Sequence, residues 1–234
     1  DREKDLKAGE FDRCLRLGTP GTMALMLLFG GMPVRPWIFY FPRGWSTLGL
    51  LGIELLLFML YSLPPFRFKG RGWWGVLCDA GYAHAVPAVL AALTFFYLGN
   101  RQFDQLWPFV LLLGAWQGMV GLRNILLHMA SDLEKDQATG VRTLAVRLGA
   151  DRVGQYLKWL VVGEVVLGAI FGLALGWTLG PAGWWLLLFP GWVWFRYRIL
   201  NDLAFPQSLP ERLQLWLDDF YVLWIPLVIL YALI

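Results

Sequence analysis

Charged residues are scarce in this sequence. Asp, Glu, Lys and Arg make up 16% of the 234 residues and hydrophobic residues 58%, whereas about 25% of an ordinary soluble domain is charged. This composition excludes a water-soluble globular domain, a disordered chain, a collagen and a coiled coil. Cysteine is also rare: Cys14 and Cys78 lie far apart without metal-ligand spacing. The sequence therefore predicts neither a disulfide framework nor a zinc site.

Long apolar segments fill most of the chain, each close to the roughly 20 residues that a helix needs to cross a hydrocarbon core. Gly118 and Gly121 fall inside one of them, where small residues let neighbouring helices approach closely. No segment fits a separate soluble domain, so the sequence predicts a single all-α, polytopic membrane helical bundle over residues 1–234. Its about seven spans are predicted at 19–34, 46–62, 74–98, 105–130, 154–178, 181–200 and 213–234.

Basic residues are distributed very unevenly between the two sides of this bundle. If the spans alternate in direction and residues close to each span end are counted in, the first side holds seventeen of the 20 Lys and Arg residues, including Arg123, Lys158, Arg196 and Arg198, and the second holds three. The positive-inside rule then places the first side in the cytoplasm. These cations set the orientation in the membrane, so they predict no nucleic-acid partner. The first side comprises residues 1–18, 63–73, 131–153 and 201–212.

A short acidic pattern, D-x-E-K-D-x-x-x-G, occurs twice, at residues 1–9 and 132–140. Its aspartates, Asp1 with Asp5 and Asp132 with Asp136, are four apart and share one side of a helix, where like charges repel. A magnesium ion would relieve that repulsion, and magnesium combines one or two carboxylates with phosphate oxygens. Either copy alone is best explained as a solvated charge run. Recurrence on one predicted side favours a clamp for a metal-bound diphosphate.

The second acidic copy continues a polar stripe on the fourth predicted span. Asn124, His128, Asp132 and Asp136 are each four residues apart, so they lie on one face of a helix. Polar side chains inside a membrane face the bundle interior or a water-filled cavity, because contact with lipid is costly. The stripe therefore predicts a polar wall inside the bundle.

A proline-broken loop, Tyr61-Ser62-Leu63-Pro64-Pro65-Phe66-Arg67-Phe68-Lys69-Gly70-Arg71, follows the second predicted span. Its three cations fall on the same predicted side as both acidic copies. They can neutralise the phosphate oxygens that metals leave uncovered. The alternative is that they act only as positive-inside anchors.

Together, these motifs resemble those of the UbiA superfamily of intramembrane prenyltransferases, and the resemblance covers essentially the whole chain. It rests on Y-S-x-P-P-x-R-x-K at 61–69 and on D-x-x-x-D-x-x-x-G-x-R-T-L-A at 132–145, followed by R-L-G at 147–149. The resemblance implies a nine-helix bundle around a central cavity. It also implies that the upstream Asn-Asp of the first motif and the first two helices are missing, so we expect an N-terminally truncated chain.

The resemblance implies Mg²⁺-dependent transfer of a polyprenyl group from an isoprenyl diphosphate to an aromatic, quinone-precursor or other lipophilic acceptor in the membrane. Two alternatives stay open at this point. One is a related transferase that uses a different polyprenyl-linked donor. The other is a transporter or scaffold that holds a phosphorylated lipid without chemistry, although the motifs lie at one face rather than at the midplane between inverted repeats.

Candidate site residues follow from the motifs and from the polar residues inside the spans. Asp79 is placed on the substrate side, with pairing to Arg67 or Arg71 as the alternative, and His84 on the acceptor side, with a structural hydrogen bond as the alternative. Glu54 and Glu164 are expected to form interhelical hydrogen bonds. The predicted catalytic residues are Asp132, Asp136, Arg67, Lys69 and His84; the substrate-binding residues are Tyr61, Ser62, Arg71, Asp79, Asn124, His128, Lys135 and Arg142; the metal ligands are Asp1, Asp5, Asp132 and Asp136.

Overall fold

A computed structural model describes residues 44–98 and 107–179 continuously, with single positions between 20 and 28 and at 188. Helices and short connections account for these two ranges, and no strand occurs within them. The predicted all-α class is therefore confirmed.

The helices vary greatly in length. The first connection contains a 3₁₀ turn, Phe68–Gly70, and a π-helical turn, Gly81–Ala85, makes one continuous helical stretch of α2 and α3. We number the α-helices of the described ranges in chain order: α1 is Trp45–Ser62, α2 Trp73–Ala80, α3 Val86–Leu98, α4 Trp107–Ser131, α5 Leu133–Thr139, α6 Leu144–Leu148 and α7 Ala150–Leu179.

Four helical stretches are long and apolar enough to cross a membrane: Trp45–Ser62, Trp73–Phe95, Trp107–Ser131 and Ala150–Ala174. They confirm the spans predicted at 46–62, 74–98, 105–130 and 154–178. The other three predicted spans, at 19–34, 181–200 and 213–234, lie outside the continuously described residues.

Close packing of α4 against the α2–α3 stretch depends on glycine. A Cβ atom on Gly121 would lie 2.7 Å from the Cα of Ala80, and one on Gly114 would lie 2.9 Å from a methyl group of Val89. Small residues thus let the two backbones approach, as the sequence predicted for Gly121. The α2–α3 stretch also packs against α1.

A hydrophobic core joins the helix ends around the loops that follow α1 and α4. Val76 of α2, Leu126 of α4, Ala145 of α6 and Val153 of α7 are each at most 2% exposed and form one cluster. This core fixes the short helix α6 and the start of α7 against the two longer helices. The loops between them are therefore held by a packed framework.

Helix α1 presents much of its apolar surface outwards. Thr47 is its buried residue, and the hydroxyl of Thr47 donates to the carbonyl of Gly44 at 2.8 Å. An apolar outer surface is the expected arrangement for a helix in contact with lipid. The exposed large side chains on α1 include Leu48, Ile53, Leu55, Leu56, Phe58 and Met59.

The chain divides into two compact units, residues 1–161 and 162–234. The first contains α1 to α6 and the start of α7. In the second, Glu164 is 3% exposed and Phe171 is 6% exposed. Glu164 is thus buried, and the interhelical hydrogen bond expected for it stays a prediction.

Candidate functional site

A cavity of about 780 Å³ opens among the ends of α1, α2, α4 and α5. Residues from both predicted motifs line it, which brings the loop after α1 and the segment after α4 to the same end of the bundle. The predicted site residues among those that line it are Tyr61, Arg67, Lys69, Asp79, Asn124, His128, Asp132, Lys135, Asp136 and Arg142.

The acidic stripe forms one wall of this cavity. Helical hydrogen bonds continue from α4 into α5, because the amide of Asp132 donates to the carbonyl of His128 at 3.1 Å and that of Asp136 to the carbonyl of Asp132 at 2.8 Å. The side chains consequently keep the four-residue spacing that the sequence predicts. His128 Nε2 lies 3.6 Å from Asp132 Oδ2.

Gly140 turns the chain back towards the cavity at the end of α5. It has φ +71°, and its amide donates to the carbonyl of Gln137 at 3.3 Å while that of Val141 donates to the carbonyl of Asp136 at 2.9 Å. These two bonds form a Schellman cap, which favours glycine at the left-handed position. The turn returns residues 141–143 to the cavity wall. The left-handed cap therefore explains why glycine stands at the end of the acidic motif.

The proline-broken loop supplies the facing wall. Arg67 and Lys69 line the cavity, but Arg71 serves the loop itself. Its Nη2 donates to the carbonyl of Pro65 at 2.9 Å, and its guanidinium lies 5.6 Å from the ring centroid of Phe68. Arg71 thus braces the loop and is not among the described residues that line the cavity; its contact with substrate stays a prediction.

Two further contacts hold this loop in place. Arg147 of α6 donates from Nη2 to the carbonyl of Gly70 at 3.3 Å. At Gly75 of α2 an added Cβ would lie 2.5 Å from the carbonyl oxygen of Phe68, so the close approach of loop and helix requires glycine. The basic loop is thus pinned from α2 and from α6.

Asp79 lies on the α2 side of the cavity and is half-buried. The hydroxyl of Tyr82 donates to Asp79 Oδ1 at 3.0 Å. The ring of Tyr82 lies 5.4 Å from those of both Phe58 and Tyr61, so an aromatic cluster fixes the tyrosine that holds the carboxylate. The observed hydrogen bond of Asp79 is therefore to Tyr82 rather than to an arginine of the loop.

Arg123 occupies a position that the charge count misassigned. It was counted among the seventeen cations of the first side, whereas it lies inside the membrane-crossing stretch of α4 and is 2% exposed. Its Nη1 donates to Asn124 Oδ1 at 2.7 Å. A buried arginine inside a span indicates a polar interior. Seven residues separate Arg123 from Ser131, the last residue of α4, and this distance from the span end could have predicted its position inside the membrane.

Several predicted residues fall elsewhere. Ser62 and His84 are not among the described residues that line the cavity; His84 lies in the π-helical turn, where its Cδ2 would be 3.0 Å from a Cβ on Gly121. Asp1 and Asp5 lie outside the described residues.

Sequence reasoning assigned no role to some of the lining residues. Ile125 and Met129 directly follow Asn124 and His128 in the chain. Because the face of a helix is wider than one row of residues, both could have been predicted to lie beside the polar stripe. The residues without an assigned role are Gly70, Ile125, Met129, Thr139, Gly140, Val141 and Thr143.

The carboxylates of the cavity could hold a metal ion that a bound phosphorylated ligand also coordinates. Within the described part of the chain no three His, Cys, Asp or Glu side chains group closely enough to hold a metal ion. Asp132 and Asp136 nevertheless offer two carboxylates on one cavity wall. Magnesium is commonly held by one or two carboxylates, with water and phosphate oxygens completing its six ligands. The residues therefore fit magnesium only together with a phosphorylated ligand.

The helices and the charged cavity define an integral membrane protein with a polar site at one end of its bundle. Comparison of the sequence with protein families matches residues 1–217 to the UbiA prenyltransferase family. The chain belongs to this family.

Individual relatives share lower identity over part of the chain. Chlorophyll synthase of Arabidopsis thaliana is 26% identical over 155 residues, covering 62% of this chain and 35% of the relative. Lycopene elongase/hydratase of Halobacterium salinarum is 30% identical over 119 residues, covering 49% and 39%. The 2-carboxy-1,4-naphthoquinone phytyltransferase of Synechocystis is 24% identical over 173 residues, covering 73% and 51%. The chain thus spans about a third to a half of these relatives, and no solved structure matches it.

Proposed function

We propose that this chain acts as an intramembrane prenyltransferase, which moves a polyprenyl group from an isoprenyl diphosphate to a lipophilic acceptor. Family membership supports the reaction class, and the names of the relatives include a phytyltransferase and a lycopene elongase. Aromatic and quinone-precursor acceptors are the first classes to test.

The observation that carries this proposal is the combination of charges around one cavity. Asp132 and Asp136 lie on one wall and Arg67, Lys69 and Arg142 on the others. A diphosphate is strongly anionic, so arginine and lysine suit it directly. The carboxylates can contact a diphosphate only if a cation lies between them and the phosphate oxygens. A cavity with both acidic and basic side chains therefore favours a metal-bound diphosphate over a diphosphate or a metal ion alone.

Magnesium would be held by Asp132 and Asp136, and it would supply positive charge that stabilises the departing diphosphate. His128 Nε2 lies 3.6 Å from Asp132 Oδ2, and both carboxylates line the cavity. We therefore expect the acidic wall to accept a hard cation.

Other residues of the cavity act on the diphosphate and on the reacting carbon. Arg67, Lys69 and Arg142 donate hydrogen bonds to the diphosphate oxygens as negative charge develops there. Ile125 and Met129 add apolar surface next to the polar stripe. Apolar surface at the reacting carbon limits the access of water, which would otherwise capture the allylic cation.

Turnover in lipid nanodiscs tests the proposal. The protein is incubated with Mg²⁺, geranylgeranyl diphosphate and a membrane lipid extract as the source of acceptor, and released pyrophosphate is measured. Release that requires both Mg²⁺ and the extract supports prenyl transfer. Tight binding of the donor without any release would instead show a binding scaffold.

A further inference from the structure

The inner end of the cavity holds a second polar pair, Asp79 and Asn124. Asp79 lies six residues after Trp73, where its span begins, and Asn124 lies seven residues before Ser131, where its span ends. At 1.5 Å per residue these positions are about 9 Å and 10 Å inside the bundle, measured from the same end. The two side chains therefore lie at the same depth.

Helix packing also brings the pair together laterally. A Cβ atom added to Gly121 would lie 2.7 Å from the Cα of Ala80, the residue next to Asp79. Asn124 lies one turn further along α4 than Gly121, on the same face. Both side chains line the same cavity, so they stand on either side of the helix crossing. Asn124 is also about 12 Å along the helix from Asp132, which separates this pair from the acidic wall.

Each member of the pair has one polar atom already engaged by protein. Tyr82 donates to Asp79 Oδ1, and Oδ2 is left as an acceptor. Arg123 donates to the side chain of Asn124; because a guanidinium can only donate, the atom facing it must be the carbonyl oxygen. The amide nitrogen of Asn124 is left as a donor. The burial of Arg123 keeps this orientation fixed, which makes Arg123 a positioning residue.

We propose that Asp79 and Asn124 form a subsite for a hydroxyl group of the acceptor. A hydroxyl can donate to Asp79 Oδ2 and accept from Asn124 Nδ2 at the same time. A ketone, ether or ester oxygen can use only the asparagine and gives Asp79 Oδ2 no hydrogen bond. This inference rests on the proposed function, and it narrows the acceptor class to alcohols, phenols or hydroquinones.

Binding of two matched probes tests the subsite. The affinities of 1-naphthol and 1-methoxynaphthalene, which differ only by methylation of the hydroxyl, are measured by fluorescence in protein-containing nanodiscs and corrected with empty ones. We expect naphthol to bind at least about tenfold more tightly, which is the lower end of the range for one hydrogen bond to a charged group. Equal affinities of the unmodified protein for both probes would overturn the proposal without any variant.

Variants assign the preference to these residues. Asp79→Asn replaces an acceptor with a donor at nearly the same shape, so the preference for naphthol should fall to threefold or less. Arg123→Met should also reduce the preference for naphthol, because the Asn124 side chain loses the hydrogen bond that fixes its orientation. Arg123→Lys should retain part of the preference. Asp151→Asn and Arg152→Met, both at exposed positions of α7, are matched controls that should retain the full preference. An unchanged preference in Asp79→Asn would overturn the assignment.

A parallel titration separates this inference from the proposed function. Binding of Mg²⁺ with inorganic pyrophosphate, measured by calorimetry, reports on Asp132 and Asp136 and should be unchanged in Asp79→Asn. If pyrophosphate binds but the probes are not distinguished, the hydroxyl subsite is wrong and the diphosphate site stands. If the probes are distinguished but pyrophosphate fails to bind, the diphosphate site is wrong.

Discussion

At the scale of single residues, the spacing of Asp132 and Asp136 determines how the two carboxylates can bind a cation. Two carboxylates four residues apart repel one another in the absence of a cation, and the structure places both on a cavity wall rather than on the outer surface. An arrangement that is mildly unfavourable for folding is useful when a cation and a phosphate complete it. We therefore propose that the stripe binds a cation and is not only a structural feature.

Asp136→Asn tests that reasoning. Removal of one metal-binding charge should lower Mg²⁺-dependent turnover roughly 100-fold or more, while thermal stability stays equal or rises slightly because the repulsion is relieved. Pyrophosphate release and a melting curve are measured on the same preparation. Asp151→Asn, an exposed aspartate in the first turn of α7, is the control. Near-normal turnover in Asp136→Asn would exclude Asp136 as a ligand.

Part of the candidate site could be predicted from the sequence. Asn124, His128, Asp132 and Asp136 could be grouped because a helix repeats every 3.6 residues, and that periodicity is visible in the chain. The inward position of Arg123 could not be read in this way. Its burial depends on which face of α4 meets the neighbouring helices, and only the tertiary packing determines that.

At the scale of elements, spans were predicted well and short helices were not. The four described spans follow from length and hydropathy alone. Residues 131–153 were predicted to lie on one side of the membrane, with a helical stripe that reaches Asp136, but the division of this segment into α5 and α6 was not predicted. Helices of seven and five residues are too short to be stable alone and form because the core around Leu144 and Ala145 supports them.

The cap at Gly140 should matter for both stability and binding. Gly140→Ala forces a Cβ into a left-handed conformation, at a cost of about 1–2 kcal/mol, although no atom lies within 4 Å to clash with it. We expect a lower melting temperature together with weaker pyrophosphate binding, because Arg142 follows the cap. Gly154→Ala, in the interior of α7 and also without neighbours within 4 Å, should stabilise by up to about 1 kcal/mol. The same sign for both variants would contradict this account of the cap.

The glycine contact between α2 and α4 should be equally sensitive. Gly121→Ala places a methyl group 2.7 Å from a backbone carbon of Ala80, so the helices must separate, at a cost of about 1–3 kcal/mol. Unfolding of the purified protein in SDS measures the change. Gly52→Ala in α1, where an added Cβ meets nothing within 4 Å, is the matched control. A neutral Gly121→Ala would show that the crossing is looser than described.

At the scale of the whole molecule, the acidic wall and the basic loop must share one side of the membrane if both bind one diphosphate. Gly70 and Gln137 are both exposed and belong to these two segments, and Trp45 is 92% exposed at the opposite end of α1. Single cysteines at these positions are placed in a background with Cys14 and Cys78 replaced by serine. An impermeant maleimide should label positions 70 and 137 only after cells are opened, and position 45 in intact cells.

The labelling experiment has a clear contrary result. If positions 70 and 137 react from opposite sides, no single diphosphate can meet both walls of the cavity. If both react in intact cells, the shared site stands and the predicted cytoplasmic orientation is wrong.

The central claim is that this cavity transfers a prenyl group. The most direct measurement is mass spectrometry of lipids from membranes that contain the protein, after incubation with deuterated geranylgeranyl diphosphate and Mg²⁺. We predict new lipid species that carry the intact deuterated chain, absent with Asp136→Asn and absent without Mg²⁺. Label that stays entirely in the diphosphate, or that is recovered only as the free alcohol, would contradict the assignment of this chain as a prenyltransferase.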